Sequence, residues 1–289
     1  MIIVNLKGGT GNQLFQYALG RYLATLNHTN VKLDINGLSQ ANITGDIYRP
    51  FALDAFAIQK ELATPDEIKA SKYPYGIFSK AWRWFIFHAF TDKNTLFRSS
   101  VLTWKGTIYL DGYWQSPRYF EPIRDILLTE LQLVNPLSAS AEHYRTRIQH
   151  CTAVSLHVRR GDYIKNPRVQ KEFGPCSISY YKAAMAKIEK TVTKPTYFVF
   201  SDDITWTKEN LPLPETTVFV QGSDLRDVEE LMLMGACQHN IIANSSFSWW
   251  GAWLNPKYDK IVIAPTPWFD VQLYDRNLIP DSWIQLPKY

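Results

Sequence analysis

Three polar runs interrupt the apolar second half of the chain: His157-Val158-Arg159-Arg160-Gly161-Asp162-Tyr163, Ser201-Asp202-Asp203 and Asn244-Ser245-Ser246-Phe247. Each follows a short apolar stretch that reads as a buried strand. Ligands of open parallel sheets bind beyond the carboxyl ends of the strands, so these runs mark candidate site residues. Side chains alternate along a strand, which puts His157 and Arg159 on one face and Arg160 on the other. A guanidinium beside His157 can clamp a phosphate with two parallel N–H bonds, which an ammonium cannot do. Arg160 either joins it or pairs with Asp162 to brace the loop. A carboxylate at position 202 can accept hydrogen bonds from the edge of a guanine, while Asp203 suits the N-cap of the following helix. Ser245 and Ser246 sit where a helix would begin, and its free N–H groups make a ready anion site. Trp249, Trp250 and Trp253 run around that helix and read as packing groups.

A fourth candidate is the glycine loop Gly8-Gly9-Thr10-Gly11-Asn12 near the amino end. Glycines let a backbone approach a ligand closely. It is not the dinucleotide fingerprint, because Leu14 stands where the third glycine belongs, and no GxxxxGK[ST] loop occurs. The chain has no Asp-x-Asp, the pair with which many sugar transferases hold a divalent ion on a diphosphate. No metal and no cofactor are therefore expected, and cationic side chains would neutralise a leaving diphosphate. The three cysteines, Cys151, Cys176 and Cys237, are far apart and have no CxxC spacing, which predicts free thiols and no structural zinc.

These residues need a scaffold, and the pattern supplies an α/β one. Ile2–Asn5, the glycine loop, a helix carrying Leu14, Phe15, Ala18, Leu19, Tyr22, Leu23 and Leu26 at helical spacing, and Val31–Ile35 predict a βαβ unit. Residues 37–104 show no clean period and predict short helices and loops. Thr107–Trp114 reads as a strand, and Pro122–Leu133 and Ala139–His150 as helices. Beyond them, strands at Ala153–Arg159, Thr196–Ser201, Val218–Gln221, His239–Ala243 and Ile261–Ala264 alternate with helices at Ser179–Thr191, Trp206–Asn210, Leu225–Cys237 and Phe247–Leu254. That alternation implies right-handed crossovers and a mostly parallel sheet. Two α/β halves are expected, with a boundary near Asn135-Pro136 or His150: residues 1–150 with the glycine loop on the acceptor side and 151–289 on the nucleotide side. The 289 residues, 46% hydrophobic and 20% charged, exclude disorder and a disulfide scaffold. A net charge of +4 suits an anionic ligand but is too small and too scattered for a nucleic-acid arm.

Together the motifs resemble the bacterial α-1,2-fucosyltransferases. GGTGNQLFQYA at Gly8–Ala18, HVRRGDY at His157–Tyr163, FSDD at Phe200–Asp203 and NSSFSWWGAWLN at Asn244–Asn255 match that family in type, order and spacing. Thr10 is a small departure, since leucine is commoner there. The resemblance extends more distantly to protein O-fucosyltransferases and α-1,6-fucosyltransferases. It implies a GT-B-like fold with two Rossmann-like halves facing a central cleft, GDP-fucose as donor, inversion at the anomeric carbon and no metal. It implies further that His157 and Asp202 contact guanine and Arg159 the diphosphate. Arg160, Ser201, Asn244, Ser245, Ser246 and Phe247 would complete the donor site, and Gly9, Gly11 and Asn12 would approach it from the first half. The acceptor would be a terminal galactose, fucosylated on its 2-hydroxyl, on an oligosaccharide or lipid-linked surface glycan. Asp162 is the candidate base for that hydroxyl, with its bracing role as the alternative.

Two rivals remain open at this level. One is another GDP-sugar transferase with a different sugar or linkage. The other is a non-catalytic binding protein using the aromatic-rich Tyr73–Phe90 stretch to stack on nucleic acid or lie on a membrane. The small net charge and the polar clusters at strand ends argue against nucleic acid as a partner. An amphipathic contact of that stretch with a membrane is compatible with catalysis, because lipid-linked acceptors lie there. Ala81–Phe90, at ten residues and interrupted by Arg83, falls short of the ~20 a spanning helix needs. The amino end lacks a signal-peptide pattern. The sequons at Asn27, Asn42 and Asn244 are then expected to be unused, and the protein to be cytoplasmic or peripheral at the inner membrane face.

Overall fold

A computed structural model describes residues 1–39, 50–72, 96–271 and 277–289. The Asn42 sequon and the Tyr73–Phe90 stretch lie outside the described residues. The chain divides into two compact units, Met1–Asn135 with Arg276–Leu278, and Pro136–Asp275 with Ile279–Tyr289. The division falls after Asn135, at the first of the two boundaries the sequence offers, and the Ala139–Gln149 helix belongs to the second unit.

The first unit holds a three-stranded parallel sheet, order β2-β1-β3, with β1 at Ile2–Asn5, β2 at Val31–Asp34 and β3 at Ile108–Leu110. The Thr10–Leu26 helix joins β1 to β2 and completes the expected βαβ unit. It buries Leu14, Phe15, Ala18, Leu19 and Leu23, with Tyr22 and Leu26 at the margin of the stripe. Gly20 allows the helix to lie this close to the sheet, because a Cβ there would come within 2.2 Å of Val4 Cγ2. Between residues 37 and 104 the described elements are short, as the lack of period predicts: a helix at Pro65–Lys72 and single 3-10 turns at Ala52–Ala55 and Ser99–Thr103.

The strand expected over Thr107–Trp114 ends early. Asp111 leaves the sheet, and Trp114 adopts φ +54, a left-handed backbone that cannot continue a strand. Its indole packs edge-on against Trp104 and Tyr119 instead. The predicted helix over Pro122–Leu133 also shortens to Arg124–Glu130 after two 3-10 turns.

The second unit holds a six-stranded parallel sheet, order β6-β5-β4-β7-β8-β9. Its strands are β4 Ala153–Val158, β5 Thr196–Ser201, β6 Val218–Phe219, β7 His239–Ile241, β8 Val262–Thr266 and β9 Ile284–Pro287. Alternation splits its core into two layers. Val154, Leu156 and Val158 meet Tyr180, Tyr181, Ala184, Met185 and Ile188 of the Ile178–Glu189 helix. Ala153, Phe198 and Phe200 face the other way, onto Leu233, Met234 and Cys237 at the end of the Asp227–Ala236 helix. His157, two residues beyond Ser155 and four beyond Ala153, points into this second layer. β9 is absent from the sequence reading: its residues alternate between half-buried and exposed, and among the described residues it pairs with β8 alone.

Candidate functional site

The three polar runs leave β5, β4 and β7, which are neighbours in the sheet. They therefore emerge side by side at one carboxyl edge, and side chains stitch them together. Arg159 joins the first two runs: its Nε and Nη2 donate to Asp162 Oδ1 at 3.0 and 2.8 Å, and Nη1 lies 3.0 Å from Asp202 Oδ2. The Tyr163 hydroxyl joins the first to the third, donating to the Asn244 carbonyl at 2.8 Å. Burial works against the charge on Arg159, but Asp202 and Asp162 override it and hold the guanidinium protonated. Three of its five N–H donors are committed to carboxylates, leaving two for an incoming anion.

The Arg160 backbone N–H donates to Asp202 Oδ1 at 2.9 Å, and its side chain turns away to Asp203 Oδ2 at 3.3 Å. Its guanidinium stacks 3.5 Å from the centre of the Trp206 ring. The ion pairs thus differ from the expected Arg160–Asp162 brace, because alternation carries Arg160 to the face of the Ile204–Asn210 helix and leaves Asp162 to Arg159. Asp162 is consequently engaged as the holder of Arg159. Asp203 caps the Ile204–Asn210 helix, accepting from Trp206 N–H, as its position predicts. Ser201 Oγ accepts from Asp203 N–H and from Thr207, so its hydroxyl braces this turn. Gly161 leaves room for Asp202: a Cβ there would sit 2.6 Å from Asp202 Oδ2.

The third run divides between support and opening. The Asn244 amide is spent inside the protein, donating to the carbonyls of Phe173, Gly174 and Trp268. Ser245 caps the Ser246–Leu254 helix by accepting from Phe247 N–H. Ser246 and Phe247 occupy its first turn and are only half-buried, where the helix dipole presents its positive end. Phe247 lies 6.0 Å from His157, ring centre to ring centre. Trp249, Trp250 and Trp253 are buried and pack against one another, as expected.

His157 is buried, and its Nδ1 meets no hydrogen-bond partner among the described residues. Burial, reinforced by the Arg159 charge, pushes its pKa down to about 3, so the imidazole is neutral at physiological pH. The Asp227–Ala236 helix covers the same layer and carries Glu230, which the sequence reading passed over. Burial, with Asp227 and Asp202 nearby, pushes the Glu230 carboxyl up to about 7. A carboxyl raised in this way near Asp202 marks a candidate functional group, whereas in sequence a glutamate on an amphipathic helix is ordinary. Gly9, Gly11 and Asn12 belong to the first unit, at the start of its long helix. A Cβ on Gly9 would meet nothing within 4 Å, Gly11 is buried, and Asn12 Oδ1 accepts from Gln115 Nε2 at 2.8 Å. Among the described residues, no group of three or more His, Cys, Asp or Glu side chains is placed to hold a metal ion, and no helix is long and apolar enough to cross a membrane.

The fold is GT-B-like: a fucosyltransferase NodZ crystal structure from Bradyrhizobium matches it with a TM-score of 0.51 and 14% identity over 86% of this chain and 91% of that one. The protein is a glycosyltransferase. It belongs to glycosyl transferase family 11, whose model matches residues 1–286. An Escherichia coli alpha-1,2-colitosyltransferase is 32% identical over 100% of this chain and 99% of its own. The mouse galactoside 2-alpha-L-fucosyltransferase Sec1 is 26% identical over 50% of this chain and 41% of its own.

Proposed function

We propose that the protein transfers L-fucose from GDP-β-L-fucose to the 2-hydroxyl of a terminal galactose, with inversion to an α-1,2 linkage, in surface glycan synthesis. The observation that carries this reading is the convergence of the three motifs at one sheet edge, with Arg159 presented there by two carboxylates. The α-1,2 linkage is supported by the names of the two relatives, and fucose by the Sec1 likeness and the motif resemblance.

In the reaction the bond between the anomeric carbon and the β-phosphate oxygen breaks, and its electron pair stays on that oxygen. The galactose oxygen attacks from the opposite face and releases its proton to solvent or to a nearby carboxylate. Arg159 and the first turn of the Ser246–Leu254 helix stabilise the charge gathering on the phosphate, a preorganised electrostatic contribution. Asp162 and Asp202 hold the guanidinium in place. Asp202 accepts from Arg159 and Arg160, which leaves Glu230, whose carboxylate makes no hydrogen bond or ion pair with the described residues, as the freer acceptor for the guanine edge. His157 Nδ1 is the second polar atom available to the base.

Colitose is L-fucose without its 3-hydroxyl, so the colitosyl relative defines the sharpest alternative donor. Incubation with GDP-fucose, GDP-colitose or GDP-mannose and lactose, followed by NMR of the product, tests the reading. An α-1,2-fucosylgalactose product is expected from GDP-fucose. Preferential use of GDP-colitose, or another linkage, overturns the assignment of sugar or of bond.

A further inference from the structure

The carboxyl edge of the first unit's sheet carries a second cluster that the donor chemistry leaves unused. Asp111, just beyond β3, accepts from Asn5 Nδ2 and from Lys7 Nζ, both at 2.9 Å and both on the same oxygen, Oδ1. Oδ2 receives no hydrogen bond from the described residues, and the side chain is 28% exposed. Burial alone would raise the Asp111 carboxyl, but Lys7 and Asn5 override it and hold the group ionised. Two residues on, Tyr113 is 40% exposed, with the Lys7 ammonium 5.2 Å from its ring centre. Gln115 follows, half-buried and bonded to Asn12.

The backbone between them is held in a costly form. Trp114 at φ +54 is a bulky residue in the left-handed region, and its buried side chain anchors the loop. A Cβ on Gly112 would strike the Trp114 ring at 2.8 Å, so only glycine fits there. The effect of this strain is to send Tyr113 outward while Asp111 and Gln115 stay at the rim. An outward aromatic ring beside an ionised carboxylate, an ammonium and two amides matches a pyranose, which has an apolar C–H face and a rim of hydroxyls.

We propose that Asp111, Tyr113 and Gln115, with Lys7, form the subsite for the acceptor sugar, Tyr113 stacking on the ring and Asp111 Oδ2 accepting from a hydroxyl. This rests on the reading of the protein as a transferase to galactosides. The test is acceptor saturation kinetics with lactose at fixed GDP-fucose, alongside calorimetric GDP binding and melting curves. Tyr113→Ala is expected to raise the acceptor KM by about three- to tenfold, and Tyr113→Phe to recover most of that. Asp111→Asn is expected to raise it by about tenfold to a hundredfold, and GDP affinity is expected to hold in both alanine and asparagine variants. An unchanged acceptor KM in well-folded Tyr113→Ala overturns the subsite, as does a matching loss of GDP affinity, which would move the cluster to the donor. If the unaltered protein releases GDP but fucosylates no galactoside, the functional reading itself has failed.

Discussion

Arg159 and Arg160 are adjacent in sequence and opposite in surroundings. Arg159 faces two carboxylates and keeps two N–H donors beyond them, whereas Arg160 is pinned between Asp203 and Trp206. Arg159→Ala is expected to lower kcat by about a hundredfold or more, with little recovery in Arg159→Lys, because an ammonium cannot make the planar fork. Arg160→Ala should chiefly lower the melting temperature. Steady-state kinetics with melting curves separates the two, and a nearly active Arg159→Ala would remove it from the phosphate. Glu230 gives a pH signature. Only its ionised form accepts from guanine, so with a pKa of about 7 GDP affinity should weaken by about tenfold between pH 8 and pH 6. In the free protein the same raised pKa works the other way. Its contribution to stability is full at pH values below the usual carboxylate range and is lost as pH rises through about 7. Glu230→Gln should flatten both dependences, and a Gln variant with unaltered GDP affinity would return the guanine edge to Asp202. The Arg159 side of this site was legible because strand alternation is local. Glu230 was not, since its significance arises from burial beside Asp202, to which no spacing in the sequence points.

At the scale of elements, legibility followed the chemistry of burial. β4 and β5 are covered on both faces and announce themselves as apolar runs with a polar terminus. β9, at the sheet edge, and the truncated β3 do not, because one is half-exposed and the other is ended by the Trp114 backbone. The Asn244 amide shows the same limit. Its three carbonyl acceptors come from segments that sequence cannot bring together, so a motif asparagine that reads as a ligand contact also ties down the loop. Helix-to-sheet distance gives the cleanest test. Gly20→Ala would gain helix propensity of about 1 kcal/mol, yet the added methyl has no room against Val4 and Val31. Overpacking costs about 1–3 kcal/mol, so the melting temperature should fall by a few degrees. The double variant with Val4→Ala should regain part of it if the clash is the cause.

For the whole molecule, the sequence lacks Asp-x-Asp, and the sheet edge that carries the three polar runs presents the Arg159 guanidinium and the start of the Ser246–Leu254 helix. Transfer is therefore expected to persist in EDTA. Activity lost on chelation and restored by manganese or magnesium would show that the guanidinium and helix end are insufficient. The assignment of the short return segment at Leu278 to the first unit, after which Ile279–Tyr289 rejoins the second, bears on engineering. Hybrids that graft the first unit of one family member onto the second unit of another need three junctions, at 135/136, 275/276 and 278/279. A single crossover at Asn135 would leave buried Leu278 encoded by the wrong parent.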